Sequence, residues 1–234
     1  MKIIDRPSPN FDEREGSGQV DTLILHYTGM ETAQAALDRL CDPESKVSAH
    51  YMIDEDGTIY AHVPEEKRAW HAGASFWNGQ LGINNSSIGI EIVNPGHEFG
   101  YRSFPEQQLE SVIKLSQEII KRYGIDRKNV LAHSDIAPSR KADPGELFPW
   151  KTLAENGVGI WPDPSDEDAV KAASIITQSA LHDLGYDPRC KFKDKLVAFQ
   201  RHYVPEVFEA GQAGQETSLS KARLYTLLRK IGED

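Results

Sequence analysis

Three residues stand where a predicted strand gives way to a loop, and each carries a side chain able to hold a metal: His26, His133 and Asp143. His26 closes the apolar run Leu23-Ile24-Leu25. His133 follows Val130-Leu131-Ala132, and Asp143 lies in Arg140-Lys141-Ala142-Asp143-Pro144-Gly145. Strand ends on a rigid scaffold are where functional side chains are presented. Two neutral imidazoles and one carboxylate, with a fourth position left to water, make a catalytic zinc (Zn2+) shell, one ion per chain. Such an ion polarises a carbonyl and lowers the pKa of water to about 7, which gives a nucleophile at neutral pH. Spacing alone leaves a second reading open. A histidine at a strand end also serves as a packed or surface residue, and no HExxH run ties the three together.

Glu91 is the fourth residue of interest. It interrupts the apolar strand Ile88-Gly89-Ile90-Glu91-Ile92, where a carboxylate is expensive to bury unless paired or functional. An edge strand with Glu91 facing water is the other explanation.

The elements that must position these groups are readable in outline. Val20 to His26 reads as a central strand, and Thr32 to about Leu40 as a helix capped by Thr32. Val47–Ile53 and Thr58–Val63 flank Asp54-Glu55-Asp56-Gly57, a hairpin signal. Residues 64–86 are rich in Gly, Asn, Trp and His without a period, which predicts a functional loop. Ser87–Val93 alternates as a strand, and Pro105–Tyr123 is the clearest helix, with Ser103 and Glu106 placed for a capping box and Gly124 as its stop. The polar, Pro-interrupted opening to Gly18 reads as an irregular surface arm. Beyond a turn-rich linker (156–167), helices are expected over about 168–184, 194–203 and 218–231. The predicted fold is α/β, a mixed central β-sheet flanked by helices (1–155), followed by a small three-helix C-terminal domain (168–234).

Composition narrows the class. A net charge of −10 over 234 residues disfavours a nucleic-acid backbone as partner, and no segment is long and apolar enough to span a bilayer. Cys41 and Cys190 have no partner at metal-ligand spacing and read as reduced thiols. The N-terminus lacks the apolar stretch of a secretory leader, which predicts a cytoplasmic protein, or a periplasmic one if a leader has been removed. The oligomeric state is not readable.

Five segments together carry a family resemblance: Leu23-Ile24-Leu25-His26-Tyr27-Thr28, Val47-Ser48-Ala49-His50-Tyr51, Arg68-Ala69-Trp70-His71-Ala72-Gly73, Ser87-Ile88-Gly89-Ile90-Glu91, and the run from His133 to Gly145. In this order they resemble the zinc-dependent N-acetylmuramoyl-L-alanine amidases, a family that includes bacterial recycling amidases, amidase-type phage lysozymes and animal peptidoglycan recognition proteins. The resemblance implies that His26, His133 and Asp143 are the zinc ligands, Glu91 the general base and Lys141 a cationic stabiliser of the oxyanion. It places Trp70 and His71 on the substrate groove, although a Trp bracing the loop fits the residues equally. Tyr27 and Arg140 adjoin the ligands, and Arg140 is suited to a bidentate hold on a peptide carboxylate. Asn94, just past Glu91, is a candidate for amide hydrogen bonds to substrate. His50 reads as a packed core histidine, and His62, His97, His182 and His202 are left structural.

The C-terminal segment resembles a three-helix peptidoglycan-binding domain through Leu181-His182-Asp183-Leu184-Gly185-Tyr186, Val197-Ala198-Phe199-Gln200-Arg201-His202-Tyr203, Glu216-Thr217 and Leu224–Leu228. A bundle that only packs on the catalytic domain is the alternative. The implied activity is hydrolysis of the muramoyl–L-alanine amide in peptidoglycan fragments (muropeptides), including 1,6-anhydro forms, with the whole sacculus as the alternative substrate. Two rivals are a non-catalytic peptidoglycan-recognition protein and a zinc peptidase acting on the stem peptide.

Overall fold

A computed structural model describes residues 2–233. The strands are β1 (Ile3–Asp5), β2 (Phe11–Glu13), β3 (Thr22–Tyr27), β4 (Tyr51–Ile53), β5 (Ile59–Ala61), β6 (Lys67–Ala69), β7 (Phe76–Trp77), β8 (Gln80–Leu81), β9 (Ser87–Ile92) and β10 (Val130–Ala132). Between and after them run α1 (Ala33–Cys41), α2 (Gly96–Phe99), α3 (Glu106–Tyr123), α4 (His133–Ile136) and α5 (Trp150–Glu155). The C-terminal region consists of α6 (Asp166–Ala172), α7 (Thr177–Leu184), α8 (Phe192–Tyr203), α9 (Glu206–Glu209) and α10 (Ser218–Glu233).

Six strands form one mixed sheet in the order β1-β5-β4-β9-β3-β10. β4, β9, β3 and β10 run parallel, while β5 returns antiparallel beside β4 as the predicted hairpin. The continuous apolar run of β3 follows from its position: Leu23 and Leu25 face one core and Ile24 the other, all fully buried. The first core packs β3, β9 and β10 against Val112, Leu115 and Ile119 of α3. The second joins Ile24 and Leu131 of the sheet to Leu181, Leu196, Phe199 and Leu224 of the C-terminal helices. Those helices therefore cover the second face of the sheet and share its core.

Several expectations are corrected. The opening arm is not irregular, because β1 extends the main sheet beside β5 and β2 pairs antiparallel with β6. Arg14, just after β2, donates to the carbonyls of Glu65, Asn84, Asn85 and Ser87 and so ties the arm to the loop before β9. The predicted 64–86 loop is threaded by β6, β7 and β8. α3 starts from Pro105 with no side-chain cap, so Ser103 does not form the capping box: Pro105 intervenes in an extended conformation. The helix expected over 168–184 is two. α6 ends near Ala173, where the Ser174 hydroxyl turns back to the Lys171 carbonyl, and α7 begins after Ile176.

Arg14→Ala should leave four carbonyls without this donor and lower stability by about 2–3 kcal/mol in urea unfolding. Loss of less than a few tenths would mean that solvent replaces the arginine.

Candidate active site

In the register of the parallel strands, His26 lies opposite Glu91, and Ala132 opposite Leu25, so the chain leaving β10 reaches the level of His26 at His133. There it does not continue as strand but turns into α4, with the Asp135 carboxylate accepting from the Ala132 N–H. His133 is thus the first residue of a helical turn. The Ser134 N–H, at the start of that turn, donates to the Asp143 carbonyl at 3.1 Å and anchors the returning loop. Two strands, one helical turn and the returning loop therefore place His26, Glu91, His133 and Asp143 at the carboxyl ends of parallel strands, where open α/β sheets form their binding crevices.

His26 Nδ1, His133 Nδ1 and Asp143 Oδ2 form a buried triangle with edges of 2.9, 3.0 and 3.0 Å. Their other contacts fix which atoms hold lone pairs. His133 Nε2 faces the Ala72 carbonyl at 3.1 Å and must donate to it, so its Nδ1 is a lone pair aimed inward. His26 Nε2 lies 3.0 Å from His71 Nδ1, and His71 Nε2 lies 3.2 Å from Ser87 Oγ, whose hydroxyl donates to the Ile83 carbonyl at 2.7 Å. With that hydroxyl proton committed, His71 donates to Ser87 and His26 donates to His71. The inner nitrogen of His26 is then also a lone pair. Two lone pairs and a carboxylate oxygen converge with no proton between them, the arrangement a divalent cation requires. Zinc with bonds of about 2.0–2.1 Å has ligand–ligand edges of about 3.3 Å, slightly wider than this triangle.

The electrostatics point the same way. Burial, then the neighbouring His133 ring, depresses His26 to about 4. Burial opposes ionisation of Asp143, but attraction to a protonated neighbouring imidazole, and the hydrogen bond such a ring would donate, outweigh it and hold its carboxyl far below the usual carboxylate range, so a positive charge at this place favours the carboxylate. Glu91 belongs to β9, which lies between β4 and β3, so the edge-strand explanation does not hold. Its Oε2 is buried without a hydrogen-bond partner among the described residues. Burial and then the Asp143 carboxylate push its pKa well above the usual range, opposed by the Lys141 ammonium. A bound dication would pull it back toward the ionised form.

A cavity of about 410 Å³ opens over the triangle, lined by Tyr27, Trp70, Glu91, His97, Arg140 and Lys141 among others. Trp70 does both things the residues allowed: its ring lines the cavity while its Nε1 donates to Asp12 Oδ2 at 2.7 Å. His71 also reaches the cavity wall, with both ring nitrogens spent on His26 and Ser87 and its ring resting on Gly89, where a Cβ would lie 2.5 Å away. Asn94 is buried outside the cavity lining, donating to the Arg102 carbonyl and accepting from the Gly96 N–H, and so shapes the turn after β9. Arg140 uses one guanidinium nitrogen on the carbonyls of Ala72 and Ala74. His50 is fully buried between the Gly89 N–H and the Lys67 carbonyl, a core histidine as read. His97, which the sequence reading leaves structural, lines the cavity and contacts the Tyr27 hydroxyl at 3.0 Å. Its place in Pro95-Gly96-His97, directly beyond the Glu91 strand, was the available signal.

The N-acetylmuramoyl-L-alanine amidase family model matches residues 16–146. The chain belongs to that family. It is 35% identical to the N-acetylmuramoyl-L-alanine amidase AmiD of Escherichia coli, over 99% of this chain and 92% of AmiD. The solved complex of E. coli AmiD with anhydro-N-acetylmuramic acid-L-Ala-D-γ-Glu-L-Lys superposes with a TM-score of 0.78 at 33% identity, covering 96% of this chain and 99% of that one. AmpDh3 of Pseudomonas aeruginosa, solved with an anhydromuramic pentapeptide, gives a TM-score of 0.79 at 32% identity, covering 91% and 92%. The likeness to these two solved structures thus extends beyond the family match into the C-terminal helices. No helix among the described residues is long and apolar enough to cross a membrane.

Acid should destabilise the metal-free amidase. Burial depresses His26 to about 4 and His50 to about 3, against 6.5 when unfolded. Below pH 6.5 the unfolded chain binds protons that the folded chain refuses, so stability falls as pH drops toward 4, by up to about 1.4 kcal/mol per pH unit per ring. Urea titrations at pH 7.5 and 5 should show this fall, and equal stabilities would contradict neutral buried imidazoles.

Proposed function

We propose that this chain is a zinc-dependent amidase that hydrolyses the bond between N-acetylmuramic acid and L-alanine in muropeptides, 1,6-anhydro forms included, in cell-wall recycling or turnover. The observation that carries the reading is the proton-free triangle of His26, His133 and Asp143 beneath a cavity that also holds Glu91 and Lys141. The muropeptides bound by AmiD and AmpDh3 support the substrate class.

His26, His133 and Asp143 would hold one zinc ion, which supplies Lewis-acid chemistry by polarising the scissile carbonyl and acidifying water. Glu91 takes the proton of the attacking water as its oxygen bonds to the carbonyl carbon. Its unpartnered Oε2, on the same sheet face as His26, is positioned for this and is not diverted into another hydrogen bond. As the carbon–nitrogen bond breaks, Glu91 returns that proton to the alanine amine. The Lys141 ammonium, with no ion-pair partner among the described residues, stabilises negative charge developing on oxygen in the partly enclosed cavity. Tyr27, Trp70 and Arg140 form the walls against which sugar and peptide are held.

Digestion of an anhydromuropeptide should release the intact stem peptide with a free alanine amine. Release of single amino acids would favour a peptidase, and no product a recognition protein. Glu91→Gln keeps the shape of the side chain but cannot accept a proton. Zinc content and substrate binding should survive while turnover falls on the order of 10²–10⁴-fold. Near-normal turnover with full zinc would remove Glu91 from the mechanism.

A further inference from the structure

The segment from His133 to Glu146 carries two proposed ligands and Lys141, and both of its ends are gripped by adjacent residues of α8 in the C-terminal region. At the first end, Asp135 is fully buried. Its Oδ2 accepts from the Ala132 N–H at 2.8 Å and from His202 Nδ1 at 2.7 Å, and its Oδ1 accepts from the Tyr186 hydroxyl at 2.6 Å. His202 is itself fixed, stacked at 3.7 Å on Trp150 and 3.8 Å on Tyr203. At the other end, Arg201 donates to Glu146 Oε2 at 3.1 Å, and the same carboxylate contacts His97 Nε2, which through its other nitrogen reaches the Tyr27 hydroxyl.

The consequence for the site is geometric. Asp135 holds the first turn of α4, which begins with His133 and whose Ser134 N–H anchors the Asp143 carbonyl. A small rotation of that turn moves both ligands together, whereas His26, on its central strand, stays put. Buried carboxylates that accept three hydrogen bonds adopt essentially one orientation, and groups that orient metal ligands commonly change metal affinity when removed.

We infer that Arg201 and His202 are positioning residues for the metal site, so that the C-terminal helices act as a clamp on the 133–146 segment and not only as a separate packing or glycan-binding unit. The inference rests on the metal-site reading above for its zinc readout, and it has a second readout that does not.

The full chain would be compared with His202→Phe, which keeps the stacked ring but loses the donor, Arg201→Met, Arg201→Lys as the conservative rescue, and Leu227→Ala. Leu227 is buried in the core of the C-terminal helices and touches none of these groups by hydrogen bond, so its variant controls for general loosening. Hydrogen exchange at the Ser134 amide is measured in metal-free protein, and zinc affinity by chelator competition. His202→Phe and Arg201→Met should speed Ser134 exchange on the order of tenfold and weaken zinc binding about 10–100-fold. Arg201→Lys should recover most of the loss, and Leu227→Ala should lower the melting temperature while leaving both readouts near those of the parent. Unchanged exchange and affinity in folded His202→Phe and Arg201→Met overturn the clamp, as does an equal change in Leu227→Ala. If His202→Phe does not fold, the Arg201 pair decides. If the parent binds no zinc, the metal reading fails while the exchange comparison still tests the clamp.

Discussion

Three acceptor atoms brought within 3.0 Å of one another in a buried place repel unless a cation or a proton joins them, and most of this structure arranges that encounter. Protons cannot serve at the two imidazoles, because each ring's single proton is committed outward: that of His133 to the Ala72 carbonyl, and that of His26 to His71. The His26–His71–Ser87–Ile83 chain matters because it has one self-consistent direction, set at its far end by a hydroxyl with a carbonyl to satisfy. Gly89 belongs to the same chain, since only the lack of a Cβ lets the His71 ring lie against β9. The direction of the lone pairs at this centre is thus set several residues away from it.

The sheet supplies the rest. With β3 between β9 and β10, His26 and Glu91 become cross-strand neighbours and β10 delivers His133 beside them. Asp143 is brought in last, by a loop anchored on α4. The second face of the sheet, where these side chains project, is the one covered by the C-terminal helices, so the core that stabilises the fold also abuts the site.

What the sequence made legible follows the range of the forces involved. β3 and β9 could be read because burial on both faces demands an uninterrupted or alternating apolar run, and α1 because Thr32 caps it locally, accepting from the Ala35 N–H. The convergence of His26 with His133 and Asp143 was not readable from spacing; it came through five segments whose order resembles a family. Contacts that depend on tertiary placement stayed hidden. A polar arm gave no sign that Arg14 would find four carbonyls across the molecule, and nothing near Asp135 or Glu146 announced partners on α8. Asn94 and His71 carry side chains apt for substrate, yet their polar atoms are consumed by the backbone of a turn and by a neighbouring ring.

The central claim is that two inward-facing imidazole nitrogens and one carboxylate oxygen bind a single zinc ion. X-ray absorption at the zinc edge, on protein reconstituted with one equivalent, tests it directly. The account predicts four nitrogen or oxygen neighbours at about 2.0–2.1 Å with the outer-shell scattering of two imidazoles. That signature should drop to one imidazole in His133→Ala. A spectrum without imidazole scattering, or one unchanged in that variant, would contradict it.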